Sequence, residues 1–222
     1  MLAAVHLLLA AAVAAEAEAT GSNIPDTSSA TLLWPLPQSV TPGRSVSMLA
    51  ANASFFGPAP SALLGRAFER YAKLLPTCSS SSPAGASALL LDANVVSSFE
   101  LRVDNPEAPG PAEFMDESYS LLVPSQGAVL AHAATQWGAL RALETFSQIA
   151  ANCTLQGTPI RVDDAPRFTH RGIMLDLARR FWPADALLSV LDAMSVSKLN
   201  VLHLHLTDEQ VRKRHFYDAI LV

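Results

Sequence analysis

Charge is scarce in this sequence. Only 16% of its 222 residues are Asp, Glu, Lys or Arg, while half are hydrophobic, which suffices for a sizeable core in one or two domains. No basic stripe runs through it, and the net charge is −5. That balance excludes nucleic acid as an expected partner, because such partners call for a basic surface. The sole cationic cluster, Arg212-Lys213-Arg214-His215, is short enough to read as solvated surface. Long apolar runs are missing too. Beyond the first 15 residues no stretch approaches the roughly 20 apolar residues of a membrane span, so none is expected in the mature chain.

Cysteine is nearly absent: Cys78 and Cys153 are the only two. In an oxidising compartment they could pair with each other. They could also stay as thiols, or pair with cysteines of a longer chain. The compartment is suggested by the start, MLAAVHLLLAAAVAA, an apolar core followed by small residues as in a secretory signal peptide. It lacks Lys and Arg in its leading segment. Cleavage is expected between Ala15 and Ala19, which makes residues 1–19 the signal peptide. Two sequons, Asn52-Ala53-Ser54 and Asn152-Cys153-Thr154, then become candidate N-glycosylation sites at Asn52 and Asn152. The implied route is the secretory pathway, ending in a lysosome, a vacuole or the exterior.

A polar lead-in over residues 20–31 gives way to Trp34-Pro35-Leu36-Pro37. Leu64, Phe68, Tyr71 and Leu75 recur every three or four positions and predict a helix over 60–75. A serine-rich loop follows. Ala88 to Val96 reads as a strand, and residues 104–113 as a proline-rich loop. Tyr119–Val123 and Ala128–Ala131 read as paired strands around the turn Pro124-Ser125-Gln126-Gly127. Thr135 can cap a second helix with Trp137, Leu140, Leu143 and Phe146 on one face. These elements make a small α+β domain, a sheet with two helices, over residues 32–155. It shows no internal repeat and no catalytic constellation.

After Asp163-Asp164-Ala165-Pro166 the pattern changes. His170–Leu177 and Asn200–Leu206 are apolar runs with strand character. Between them Leu187, Val190, Leu191 and Met194 fall at helical spacing within 183–199. The order predicts one β–α–β unit with parallel strands, which requires cover on both faces.

Several short motifs carry a family likeness. They are His170-Arg171-Gly172, Asp176 with Arg179, Lys198-Leu199-Asn200, and His203-x-His205-Leu206-x-Asp208. Upstream lie Trp34-Pro35-x-Pro37, Glu117-x-Tyr119 and Gly138-Ala139-Leu140-Arg141-x-Leu143-Glu144-Thr145-Phe146. In this order they resemble the front of family-20 glycoside hydrolases, the β-N-acetylhexosaminidases. The resemblance implies an α/β chain: the N-terminal domain, then the start of an incomplete (β/α)8 barrel over 166–210, then a divergent tail over 211–222. It also implies hydrolysis of terminal N-acetylglucosamine or N-acetylgalactosamine with retention. In that chemistry the substrate's acetamido oxygen attacks, an Asp orients it and a Glu is the general acid.

By the same resemblance Arg179 matches the arginine that binds hydroxyls of the terminal sugar, and Asp208 an acidic residue supporting the site. A guanidinium fork suits vicinal hydroxyls. The structural alternative is a surface ion pair or a barrel-rim cap. Asp208-Glu209 is not assigned as the catalytic pair, which in the family follows a His-x-Gly-Gly stretch lacking here. The chain is therefore expected to be truncated, without catalytic residues and inactive alone. Its neighbours of Arg179 depart from the family at Leu177-Ala178 and Arg180-Phe181, and Leu204 stands where Trp is common.

The family uses no cofactor and no metal. His203-x-His205 places two imidazoles on one strand face, as in some metal-dependent barrels, but no third ligand is apparent. Implied partners are a glycan with a terminal N-acetylhexosamine and a full-length subunit, in a homo- or heterodimer. The competing reading is a non-catalytic secreted module that binds such a subunit or glycans.

Overall fold

The computed structural model describes residues 33–50, 56, 59–76, 78, 94–151 and 153–206. The chain falls into two compact units, divided between Thr169 and His170.

In the first unit the strands are β1 (Ser39–Thr41), β2 (Ser45–Leu49), β3 (Asn94–Asn105), β4 (Tyr119–Val123), β5 (Gly127–Thr135), β6 (Thr154–Thr158) and β7 (Ile160–Asp164). They form one seven-stranded mixed sheet in the order β1-β7-β4-β5-β3-β2-β6. Pairs β2/β3 and β3/β5 are parallel and the others antiparallel. Two helices accompany it, α1 (Ala62–Leu74) and α2 (Gln136–Ile149).

The helices start where side chains can satisfy the first free N–H groups. Ser61 Oγ accepts from Leu64 N at 3.3 Å, and Thr135 Oγ1 accepts from Trp137 N at 3.2 Å. Helix α1 buries Leu64, Ala67, Phe68 and Tyr71, while Leu75 becomes its C-cap. On α2, Leu143 and Phe146 are buried as expected, but Trp137 and Leu140 are only half-buried. The inner face runs instead through Ala139, Ala142, Leu143, Phe146 and Ile149. Small residues there let the helix lie close to the sheet. Gly138 is the extreme case, since a Cβ at that position would overlap the Ser118 carbonyl oxygen.

An aromatic chain ties the layers together. Phe56 stacks on Phe68 at 4.8 Å and meets Phe99 at 5.4 Å, and Phe99 meets Phe146 at 5.1 Å. Burying each such ring contributes roughly 1.5–3 kcal/mol. Polar groups in this core are paired. Glu144 accepts from Tyr71 Oη at 2.9 Å and from Gln148 Nε2 at 3.0 Å. Cys78 and Cys153 are joined by a disulfide with Cα atoms 5.7 Å apart.

Three expectations need correction. The strand expected over 88–96 is described from Asn94 and runs on to Asn105. Its second half alternates Phe99, Leu101 and Val103 inward with Glu100, Arg102 and Asp104 outward, a half-buried pattern that a search for apolar runs passes over. The proline-rich loop consequently begins at Pro106. Strands β6 and β7 were not foreseen, and they carry the sheet beyond residue 155 to Asp164. Both are five residues long, and β7 owes its place to pairing with β4 and β1 rather than to its own composition.

The second unit contains β8 (Gly172–Asp176), α3 (Ala184–Val196) and β9 (Val201–His205). As expected, β8 and β9 are parallel, in register from Gly172↔Val201 to Asp176↔His205. No helix among the described residues is long and apolar enough to cross a membrane.

Candidate functional site

The two ends of the β8/β9 pair have different characters. At the N-terminal end the motif residues act as scaffold. Asn200 Oδ1 accepts from Arg171 N at 2.9 Å, and Asn200 N returns a bond to Arg171 O at 2.8 Å. Arg171 Nε donates to Lys198 O at 2.9 Å. Lys198 ends α3 in the left-handed region, with φ 55°. Lys198 N donates to Ser195 O at 3.2 Å and Leu199 N to Met194 O at 2.9 Å, which together close the helix in a Schellman cap. Gly172 keeps the strands close: a Cβ there would lie 3.0 Å from Val201 O. His170-Arg171-Gly172 and Lys198-Leu199-Asn200 thus fix the register of the unit.

The C-terminal end presents side chains. After Asp176 the chain turns, and Leu177 N and Ala178 N both donate to His205 O, at 3.0 and 3.1 Å. Leu177 and Ala178 are buried, so they occupy packing positions. Asp176 Oδ1 accepts from Ala178 N and Arg179 N, each at 3.1 Å. Its other oxygen, Oδ2, lies 3.5 Å from Arg179 Nη1, and the Arg179 side chain is 71% exposed. One carboxylate therefore shapes the turn and also faces the guanidinium that the turn delivers. Asp176 was noted only as part of a motif. The signal available in sequence was its spacing of three from Arg179 immediately after a strand.

His205 lies opposite Asp176 in the register, and His203 opposite Met174. His203 is exposed and His205 half-buried. Among the described residues no group of three or more His, Cys, Asp and Glu could hold a metal ion. Asp208, Glu209, the cluster at 212–215, the sequon residues Asn52 and Asn152, and the leader all lie outside the described residues.

In the first unit a second polar cluster links the sheet to α2. Tyr119 Oη donates to Asp164 Oδ2 at 2.8 Å and lies 2.6 Å from Thr145 Oγ1. Burial, and next the Asp164 charge, push its phenol well above the ordinary value. Arg141 Nε donates to buried Glu117 at 3.3 Å. Asp164 also accepts from Gln38 N at 3.2 Å. This cluster explains Glu117-x-Tyr119 and Arg141 as structural residues that join three segments distant in sequence.

Two family models match the chain. The profile of beta-acetyl hexosaminidase like proteins matches residues 33–149, and that of the glycosyl hydrolase family 20 catalytic domain matches residues 168–213. The beta-hexosaminidase subunit beta of Felis catus is 37% identical over 222 residues, covering 94% of this chain and 39% of the relative. Beta-hexosaminidase 1 of Arabidopsis thaliana is 41% identical over 108 residues, covering 43% of this chain and 20% of the relative. The chitobiase of Flavobacterium johnsoniae superposes with a TM-score of 0.63 at 27% identity, covering 80% of this chain and 27% of that one. The chain spans about two-fifths of the length of the cat subunit. It belongs to the β-hexosaminidase family of glycoside hydrolases, glycosyl hydrolase family 20.

Proposed function

We propose that residues 166–210 are the start of a (β/α)8 glycosidase barrel, following an N-terminal domain whose sheet runs to Asp164, and that Arg179 binds hydroxyls of a terminal N-acetylhexosamine. The observation that carries this reading is the place of Arg179. It lies just past the C-terminal end of a parallel strand, where barrel enzymes put their chemistry, and its own strand's Asp176 faces it at 3.5 Å. Asp208, three residues past the end of β9, would supply a carboxylate to the same pocket. The substrate class is a glycoconjugate ending in N-acetylglucosamine or N-acetylgalactosamine, cleaved with retention through the acetamido group. The Asp-Glu pair that follows His-x-Gly-Gly in the family does not occur in residues 1–222, so these residues alone bind the sugar end without cleaving it. The protein enters the secretory pathway, carries glycans on Asn52 and Asn152, and reaches a lysosome, a vacuole or the exterior.

The test grafts residues 168–206 in place of the matching segment of an intact hexosaminidase. The graft is expected to hydrolyse an aryl N-acetyl-β-glucosaminide, and Arg179→Ala in the graft to lower kcat/KM by about 100-fold, as for loss of one charged donor at a transition state. A graft that works equally well without Arg179 would remove this assignment. The ungrafted chain is expected to give no turnover.

A second reading is a non-catalytic module. It draws on the first unit, whose sheet and helices enclose their own core. Co-purification of residues 32–169 with an intact subunit would favour it.

A further inference from the structure

The sequon Asn152-Cys153-Thr154 contains one of the two cysteines, and Cys153 is bonded to Cys78. One tripeptide thus has two covalent fates, a glycan on Asn152 and a disulfide on its neighbour. The other sequon, Asn52-Ala53-Ser54, has alanine in the middle and has only the first.

In the folded chain the tripeptide is held from both ends. On one side Ala150, the C-cap of α2, is fully buried, and its N–H donates to Phe146 O at 2.9 Å. On the other side Leu155 is fully buried too. Between them Cys153 O accepts from Leu49 N at 2.8 Å, and Thr154 pairs with Met48 in the β2/β6 ladder. Thr154 Oγ1 is directed at Met48 Sδ, 3.7 Å away. Transfer of a glycan to Asn-x-Thr takes that hydroxyl and the surrounding backbone into an enzyme's active site. Pairing of β6 with β2 and transfer to Asn152 therefore exclude each other.

Strand β6 is the last of the sheet, and β2 is its one neighbour there among the described residues. A strand held on one side opens locally at small cost. The disulfide removes that freedom. It ties the residue before β6 to buried Cys78, just past the end of α1. Cys78 precedes Cys153 by 75 residues, so it is already in an oxidising lumen when Cys153 arrives.

We propose that glycosylation of Asn152 and closure of Cys78–Cys153 compete on the nascent chain, and that closure first leaves Asn152 bare. In the first reaction the Asn152 amide nitrogen bonds to the anomeric carbon of an oligosaccharide. The bond from that carbon to a lipid pyrophosphate breaks, and one amide proton leaves. In the second, the two thiols give two protons and two electrons to a protein disulfide, which becomes a dithiol. Asn152 is thus a redox-gated acceptor and Asn52 is not. The inference rests on the secretory route proposed above.

Expression of the full chain in a eukaryotic secretory cell tests it. Mass spectrometry after enzymatic deglycosylation in heavy-oxygen water marks each formerly glycosylated Asn as labelled Asp. The wild-type chain is expected to be occupied at Asn52 and only partly at Asn152. Cys78→Ser leaves both sequons intact. It is expected to raise occupancy of Asn152 at least about twofold, with Asn52 unchanged, because β6 then opens freely. Dithiothreitol given to cells making the wild-type chain is expected to do the same, which separates the effect from misfolding of the variant. With Asn52 occupied, full occupancy of Asn152 in the wild type overturns the proposal, and so does equal occupancy with and without Cys78. A parallel rise at both sites overturns it as well, since Asn52 has no cysteine to compete with. Both asparagines bare in every form overturn the secretory route itself, and the proposal with it.

Discussion

The two units follow the same local rules and reach different degrees of closure. Among its described residues the first has seven strands, two helices and a disulfide, and it fully buries Phe99, Phe146, Leu121, Leu143 and Ile160 among others. Among its described residues the second has two strands and one helix, and well-buried side chains are few: Leu177, Ala178, Met194, Val196 and Lys198. Met174 on β8 is 59% exposed, and Leu188 and Leu191 on α3 are also exposed. Hydrophobic periodicity is thus enough to place a β–α–β unit in register, because that needs only backbone pairing and one helix cap. A closed core is a different matter, since a parallel pair must be covered on both faces. The prediction that follows concerns hydrogen exchange. Amides of β3, β4 and β5 are expected to be the most protected, and those of β8 and β9 to open far more readily. Equal protection in both units would break the contrast.

The largest effect of a single substitution is expected at the aromatic centre of the first unit. Phe146→Ala should cost about 3–5 kcal/mol, through lost burial and a residual cavity. Met194→Ala in the second unit should cost clearly less, because its surroundings are already partly open. Chemical denaturation with fluorescence from Trp137 reads the first, and exchange at β8 and β9 the second. Next comes the disulfide. Cys78 and Cys153 are 75 residues apart in sequence, and Cys78→Ser/Cys153→Ser should cost about 4 kcal/mol. That loss should fall on the first unit alone, leaving exchange in β8 and β9 unchanged.

How far each region could be read in advance follows from the same difference. The helices α1 and α2 and the β4/β5 hairpin were legible because each states its own signal: apolar spacing, Ser61 and Thr135 as caps, Gly127 at φ 91° in the turn. Strand β3 was half-missed because its outward residues are charged and its signal is alternation. Strands β6 and β7 were missed because five residues with a Gly or two Asp carry almost no strand signal, and pairing with distant partners creates them. At the candidate site, the place of Arg179 just past β8 was legible from the strand pattern. The double use of Asp176 was not, because it depends on His205 O drawing in the backbone of Leu177 and Ala178. Arg171, Lys198 and Asn200, which carry the family likeness in sequence, are scaffold in the structure.

Two glycines sharpen the comparison at a smaller scale. Gly138 presses α2 onto the backbone of Ser118, and Gly172 only approaches Val201. Gly138→Ala forces rigid backbone apart and should cost about 2 kcal/mol. At Gly172 the nearest approaches to an added Cβ are 3.0–3.1 Å, so a shift of a few tenths of an ångström relieves them, and the cost should stay below about 1 kcal/mol. Thermal unfolding of both variants decides the order. A reversal would mean that the second unit is the more rigid of the two.

The smallest effect at neutral pH carries the clearest signature. Tyr119 Oη donates its proton to Asp164, so Thr145 Oγ1 must donate to the phenol oxygen. Tyr119→Phe deletes both bonds and should cost about 1 kcal/mol at neutral pH. Burial and Asp164 hold the phenol above its ordinary value of 10.0. The folded state therefore keeps this proton when the unfolded chain would lose it. The stabilisation is complete below about pH 10 and is lost as pH rises through and beyond that point, because only the unfolded chain then releases the proton. Denaturation at a series of pH values should show wild-type stability falling above pH 10 more steeply than that of Tyr119→Phe, so that the gap between them narrows. Since the cluster joins β4, α2 and the end of β7, the effect should appear in the first unit and not in β8 or β9. Parallel alkaline slopes for the two proteins would mean that Tyr119 ionises as readily folded as unfolded, and that the cluster is not the closed junction its geometry describes.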